Sequence, residues 1–129
     1  MQRVLVVAAG GAIGTVLRYL TSVLAARWLG ADFPYGTLIV NLVGAFVIGL
    51  VQQIGTETLL MPEDLRLFLT TGMMGGLTTY STFSYETVRL AELDAWLQAG
   101  INVVVTTVCC LGLCVLGMAT GRALLGLRG

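Results

Sequence analysis

Four long apolar segments, separated by short polar connections, dominate the 129-residue sequence. They cover about residues 2–29, 36–54, 64–90 and 95–127, and a helix needs roughly 20 residues to cross the hydrocarbon core of a bilayer. Hydrophobic residues make up 57 % of the chain and charged residues only 11 %, so a water-facing surface could not be covered. The sequence therefore predicts an all-α integral membrane protein with four transmembrane helices in one transmembrane domain, residues 1–129.

Two adjacent glycines interrupt the third segment near its centre. Gly75 and Gly76 stand directly before a stretch rich in hydroxyl groups. Unwound backbone at membrane depth is tolerated only where it is buried in protein or lines a wet site. We therefore expect the third helix to be broken near its centre, at these glycines.

Small residues recur at a spacing of four in every segment. Residues four apart lie on one helix face, and small side chains there let membrane helices approach closely. The pairs predicted to serve this packing are Gly10 and Gly14, Ala45 and Gly49, Gly72 and Gly76, and Gly117 and Gly121.

The arginines give only a weak signal for orientation in the membrane. With four spans, Arg3, Arg66, Arg122 and Arg128 fall on one side, and Arg27 and Arg89 on the other. A four-to-two bias barely favours one orientation under the positive-inside rule. The chain is therefore expected to insert in both orientations.

The polar residues inside these segments are mostly uncharged. In the stretch "LTTGMMGGLTTYSTFSYE", residues 69–86, six of the seven side chains from Thr78 to Ser84 carry a hydroxyl. Polar groups in a membrane segment usually mark function. The chain has no histidine, and no carboxylate lies near the middle of a span, which argues against an enzyme and against proton-coupled transport.

Neutral hydrogen-bond donors without fixed negative charge suit an anion. Tyr80 and Phe83 are three residues apart and share a helix face, and the edge of an aromatic ring is electropositive. Such groups can replace the water around a small anion without holding it too tightly. The competing interpretation is that serine and threonine hydroxyls bond back to carbonyls four residues earlier; the density of hydroxyls favours a functional role.

The segments "GGAIGTVLRY", "GTLIVNLVGAFVIG" and "GGLTTYSTFSYE" resemble the small bacterial fluoride channels of the Fluc/CrcB family, over essentially the whole chain. The resemblance implies a fluoride-selective channel that exports fluoride passively across the bacterial cytoplasmic membrane and lowers its toxicity. It also implies an antiparallel, dual-topology homodimer. A structural sodium ion at the dimer interface would be held by the main-chain carbonyls of Gly75 and Thr78.

The same resemblance implies which residues contact fluoride. The implied pathway consists of Asn41, Tyr80, Ser81, Thr82, Phe83, Asn102 and Thr106. Tyr80 stands where phenylalanine is usual in the family, so its phenol adds a donor and bulk to a narrow path. Arg18 matches the family's first-helix arginine, and we expect it to tie helices together.

Two other functions remain open on the sequence. A small four-helix drug-efflux antiporter would need a carboxylate in the first span, where Arg18 is the only charged residue in the interior. A non-transporting membrane assembly subunit would explain the glycine pairs but not the hydroxyls. The three cysteines, Cys109, Cys110 and Cys114, are expected to be packing residues without function.

Overall fold

The computed structural model describes residues 1–126 and is helical almost throughout. Helix α1 spans Gln2–Leu29 and α2 spans Tyr35–Glu57, and both are long and apolar enough to cross a membrane. The last helix, α5, spans Trp96–Leu124 and meets the same criterion. These three helices match three of the predicted segments, and residue 127, the predicted end of the fourth, lies outside the described residues.

The third predicted segment consists of two helices with a break between them. Helix α3 covers residues 63–77 and contains an α-helical turn at Glu63–Leu67, π-helical turns at Phe68–Met74 and a short α-helical turn at Gly75–Leu77. Helix α4 then spans Tyr80–Glu92. Between them Thr78 and Thr79 are extended, with ψ angles of 153° and 118°.

The break lies beyond the glycines that were expected to cause it. Gly75 has φ −62° and ψ −38°, which is ordinary helical geometry. Gly76 also lies within a helical turn, so a break centred on the two glycines was wrong by about three residues. The broken third helix itself is confirmed.

The glycines instead allow α1 and α3 to touch backbone to backbone. A Cβ placed on Gly10 would lie 2.5 Å from the carbonyl oxygen of Phe68, and one on Gly76 would lie 2.5 Å from that of Gly11. Gly14 faces the Met73 carbonyl just as closely. These contacts confirm the packing role predicted for the glycines spaced four apart.

Helices α2 and α5 form the other close pair. A Cβ on Gly49 would collide with the Cys114 carbonyl, and one on Gly117 would collide with the Phe46 carbonyl. Gly121 packs against Gln53 further along, so the two helices run in the same direction. Small residues therefore join the bundle as two tight pairs, α1 with α3 and α2 with α5.

The two ends of the bundle differ in their side chains. Trp28, Tyr35 and Trp96 lie at the end that holds the connection between α1 and α2, and the two tryptophans are 80 % and 69 % exposed. At the other end Arg3 pairs with Glu63 at 2.9 Å. Residues 1–18, 52–67 and 115–129 contain no tryptophan or tyrosine. One bundle therefore carries aromatic membrane anchors at one end only.

Candidate functional site

A groove of about 680 Å³ runs between α2, α3, α4 and α5. It brings together six of the ten residues singled out from the sequence: Asn41, Gly75, Thr78, Tyr80, Phe83 and Thr106. The other four, Arg18, Ser81, Thr82 and Asn102, lie outside its walls. The groove opens sideways as well as along its length, since Thr71, Gly75 and Tyr80 are exposed.

Asn41 holds the broken backbone in place. Its Nδ2 donates to the carbonyl of Thr79 at 3.2 Å, and its Oδ1 accepts from the Thr79 amide at 2.8 Å. The side chain thus supplies both hydrogen bonds that Thr79 would make in a regular helix. One Nδ2 proton remains free at the groove wall, so Asn41 can clamp the break and still donate to a ligand.

The break frees four main-chain carbonyls, those of residues 75–78, from their usual helical partners, and two of these residues, Gly75 and Thr78, line the groove. The Thr79 amide, which a continuous helix would direct to Gly75, donates to Asn41 instead. The Thr82 amide, which would bond to Thr78, donates to the Thr79 hydroxyl at 3.2 Å. The carbonyls of Gly75 and Thr78 are therefore oxygen acceptors available at the groove.

Arg18 contacts a third carbonyl near this break. Its Nε donates to the carbonyl of Gly76 at 3.1 Å, across from α1 to α3. The guanidinium group is half-buried and does not line the groove. This placement agrees with a residue that ties helices together.

The hydroxyl-rich stretch divides into two kinds of side chain. Thr78 and Ser84 bond back to the carbonyls of Met74 and Tyr80, as the competing interpretation predicts. Thr79 instead caps α4, and its Oγ1 lies 3.2 Å from Ser81 and 3.1 Å from Thr82. The first turn of α4 therefore begins in a cluster of three hydroxyl groups beside the groove.

The two aromatic rings of this stretch meet, as their spacing predicts. The centroids of Tyr80 and Phe83 are 5.4 Å apart, and the ring planes are tilted by 46°. Phe83 is only 8 % exposed, whereas Tyr80 is 80 % exposed. Tyr80 therefore stands at the open side of the groove and Phe83 at its inner wall.

Asn102 does not line the groove but supports it from behind. It is 1 % exposed, donates to the Thr87 hydroxyl at 2.9 Å and accepts from Thr106 at 3.3 Å. Thr87 in turn donates to the Phe83 carbonyl at 2.7 Å. This chain of bonds connects α5 to Phe83. Sequence reasoning missed Thr87, although its position four residues after Phe83 on a polar helix was a usable signal.

The groove also extends further than the predicted residues. On α2 its wall continues from Asn41 through Ala45 and Ile48 to Gln52, positions that share one helix face. On α3 it reaches Thr70 and Thr71. The i, i+4, i+7, i+11 spacing after Asn41 could have pointed to Gln52. Cys110, which was expected to be a packing residue without function, also lines the wall.

No acidic side chain lines this groove within residues 1–126. Glu86 has a buried Oε1 without a hydrogen-bond partner, but it faces a separate cavity of about 160 Å³ together with Ser22 and Thr37. Among the described residues, no group of three or more histidine, cysteine or acidic side chains could hold a metal ion. The groove walls therefore offer amides, hydroxyls, ring edges and carbonyls.

Comparison with known proteins agrees with this picture. A family model described as "CrcB-like protein, Camphor Resistance (CrcB)" matches residues 5–118. The "Fluoride-specific ion channel FluC" of Geobacter metallireducens is 46 % identical over 96 % of this chain and all of the relative. The protein of that name from Sorangium cellulosum is 46 % identical over 97 % of this chain and 98 % of its own. The one from Clostridium novyi is 48 % identical over 93 % and 91 %. With a match of this length, the chain belongs to the CrcB family, as its three sequence motifs had indicated.

Proposed function

We propose that this protein is a fluoride-selective ion channel that lets fluoride leave the cell passively across the bacterial cytoplasmic membrane. The observation that carries the proposal is a groove between membrane helices whose polar groups are uncharged, with no carboxylate from residues 1–126 in its walls. An anion entering it meets the free Nδ2 proton of Asn41 and the hydroxyl of Thr107, whereas the hydroxyl of Thr106 donates to Asn102. Because none of these groups is charged, each binds the ion weakly enough to release it.

The N-terminus of α4 adds an electrostatic contribution. Thr79 is its N-cap, and the helix runs for 13 residues from this point. The positive end of its dipole therefore lies beside the groove, where it favours an anion. The ring edge of Phe83 adds a further electropositive surface on the same wall. The polar cluster, the helix end and the ring thus favour the same sign of charge.

A second copy of the chain is needed to close the groove. Its open side exposes polar residues such as Thr107, near the middle of α5, at a depth where lipid would leave the hydroxyl unsatisfied. A homodimer would cover that side. An antiparallel arrangement is favoured because it would place the anchors Trp28 and Trp96 of one subunit at each membrane interface. The weak bias of the arginines permits both orientations of insertion.

The freed carbonyls fit a structural sodium ion. Gly75 and Thr78 present oxygen atoms that have lost their helical partners, and Gly75 is exposed on the face where a second copy would lie. A hard cation prefers oxygen ligands of this kind. Two subunits related by a two-fold axis would supply four such carbonyls. When bound, the ion would hold the breaks of both subunits together.

Fluoride efflux from proteoliposomes tests the proposal. Vesicles containing the purified protein and loaded with potassium fluoride should release fluoride to an external electrode when a potassium ionophore is added. The same vesicles loaded with potassium chloride should retain their chloride. Fluoride retained in both protein-containing and empty vesicles would refute the channel. Equal release of both ions would refute its selectivity.

A further inference from the structure

The far end of the groove, away from Asn41, ends beside a cation that no carboxylate neutralises. Arg66 lies one turn before Thr70, whose hydroxyl donates to the Arg66 carbonyl at 2.7 Å. A Cβ placed on Gly55 would lie 2.6 Å from Arg66 Cδ, so the arginine stem lies against α2 one turn beyond Gln52. Arg66 therefore lies one helical turn beyond the groove wall, both along α3 from Thr70 and across from α2 beyond Gln52.

The acidic side chains nearest in sequence to Arg66 are already paired elsewhere. Glu63 receives the Arg3 guanidinium at 2.9 Å, and Asp64 lies 3.9 Å from Arg3 and accepts from Gln2 at 3.3 Å. Among residues 1–126, no carboxylate lies within ion-pair distance of Arg66. The aliphatic part of the half-buried Arg66 side chain packs against Gly55, so this positive charge lies near the end of α2.

Two donors at this end of the groove also lack partners. The side chains of Gln52 and Thr71 line the groove and are exposed. Unlike Thr70, they make no hydrogen bond to any described residue. The distance along α2 from Asn41 to Gln52 is about 16 Å at 1.5 Å per residue. The groove thus has a second group of free donors, well separated from Asn41 and next to an uncompensated cation.

We propose that Arg66, Gln52 and Thr71 form an anion-capture site at the mouth of the groove, which collects fluoride from solution before it reaches Asn41. The inference rests on the proposed channel function and adds the place where the ion enters. A fixed positive charge beside a low-dielectric groove raises the local anion concentration and the rate of entry. The amide of Gln52 and the hydroxyl of Thr71 then replace part of the water around the ion.

The test measures initial fluoride efflux at two ionic strengths. At about 10 mM salt the Debye length is about 30 Å, and at about 1 M it is about 3 Å, so only the first condition lets Arg66 act at a distance. Arg66→Gln should slow efflux roughly tenfold at low salt and about twofold or less at high salt. Arg66→Lys keeps the charge and should stay within about threefold of the wild type, while Gln52→Leu should slow efflux at both salts.

The matched control is Arg122→Gln, which removes the same formal charge from an exposed position in the last turn of α5, at the same end of the bundle. It should change efflux by less than twofold at either salt. Equal effects of Arg66→Gln and Arg122→Gln, or an Arg66→Gln effect independent of salt, would overturn the capture site. Wild-type efflux in the same experiment keeps the channel function separate from this inference. Size-exclusion profiles identical to the wild type show that each variant is assembled.

Discussion

Replacing Asn41 by aspartate tests the neutral-donor mechanism with the smallest change in shape. The new carboxylate keeps an acceptor for the Thr79 amide at 2.8 Å but loses the donor to the Thr79 carbonyl at 3.2 Å. It also places a negative charge on the groove wall. At about 4 Å from a passing anion, two like charges repel by about 4 kcal/mol at an effective dielectric constant of about 20. That repulsion corresponds to roughly a thousandfold lower efflux.

Asn41→Ala tests the loss of the hydrogen bonds to Thr79 without adding a negative charge. It removes both hydrogen bonds to Thr79, and each backbone group left unsatisfied costs about 1–3 kcal/mol. Efflux should fall at least tenfold because the break and the start of α4 lose their support, yet less than for aspartate because no repulsion is added. Proteoliposome efflux at matched protein density measures both variants, and size-exclusion profiles check that each variant keeps the wild-type elution position.

The control for added charge is Gln98→Glu, which introduces a carboxylate on the exposed first turn of α5, away from the groove. It should leave efflux within about twofold of the wild type. If Asn41→Asp conducted as fast as this control, the anion would not pass close to Asn41. Uncharged donors at Asn41 would then not be what carries the ion.

Four further perturbations follow from the same geometry. Phe83→Ile removes an electropositive ring edge from the inner wall and should slow efflux at least tenfold with dimers retained; unchanged efflux would remove this ring from the pathway. Tyr80→Phe keeps the ring and removes the phenol, so efflux should stay equal or rise by a few-fold, and a tenfold loss would mean that the hydroxyl takes part in conduction. Gly14→Leu would force a side chain against the Met73 carbonyl, so it should cost about 3 kcal/mol and reduce the yield of folded protein in detergent, measured as loss of the wild-type size-exclusion peak. Gly112→Leu, at a position with open space, should be tolerated. Exchange of sodium for N-methylglucamine should lower the midpoint of thermal dissociation of the dimer, and an unchanged midpoint would argue against the ion at the carbonyls of Gly75 and Thr78.

The sequence predicted the spans well because length and hydrophobicity determine what a bilayer accepts. Helices α1, α2 and α5 begin and end within three residues of the predicted limits wherever the structure describes them. The close packing at small residues could also be predicted from their spacing of four. A side chain larger than glycine at Gly10 or Gly76 would collide with the backbone of the neighbouring helix. Both features depend on local pattern alone.

The position of the break could not be read from local pattern. Gly75 and Gly76 suggested a break by their permissive backbone, but Gly76 is needed for close contact with α1 and stays helical. The chain opens at Thr78 and Thr79 because Asn41, 38 residues earlier, supplies the lost hydrogen bonds. A partner so distant in sequence has no signature near the break itself.

The candidate site was only partly predicted, because some of its contacts also join residues that are distant in sequence. Resemblance to the family pointed to Asn41, Phe83 and Thr106, which the fold brings to one groove. It gave no indication that Thr87 connects Asn102 to Phe83, or that Arg66 packs against Gly55, one turn beyond Gln52. These relations arise from the packing of α2 against α3 and of α4 against α5.

The reversal potential across a planar bilayer tests selectivity most directly when the fluoride concentrations on the two sides differ and chloride makes up the difference. A groove of neutral donors that replaces the water of a small anion predicts a reversal potential close to the equilibrium potential for fluoride. A potential near zero, with currents carried equally by both anions, would contradict the account.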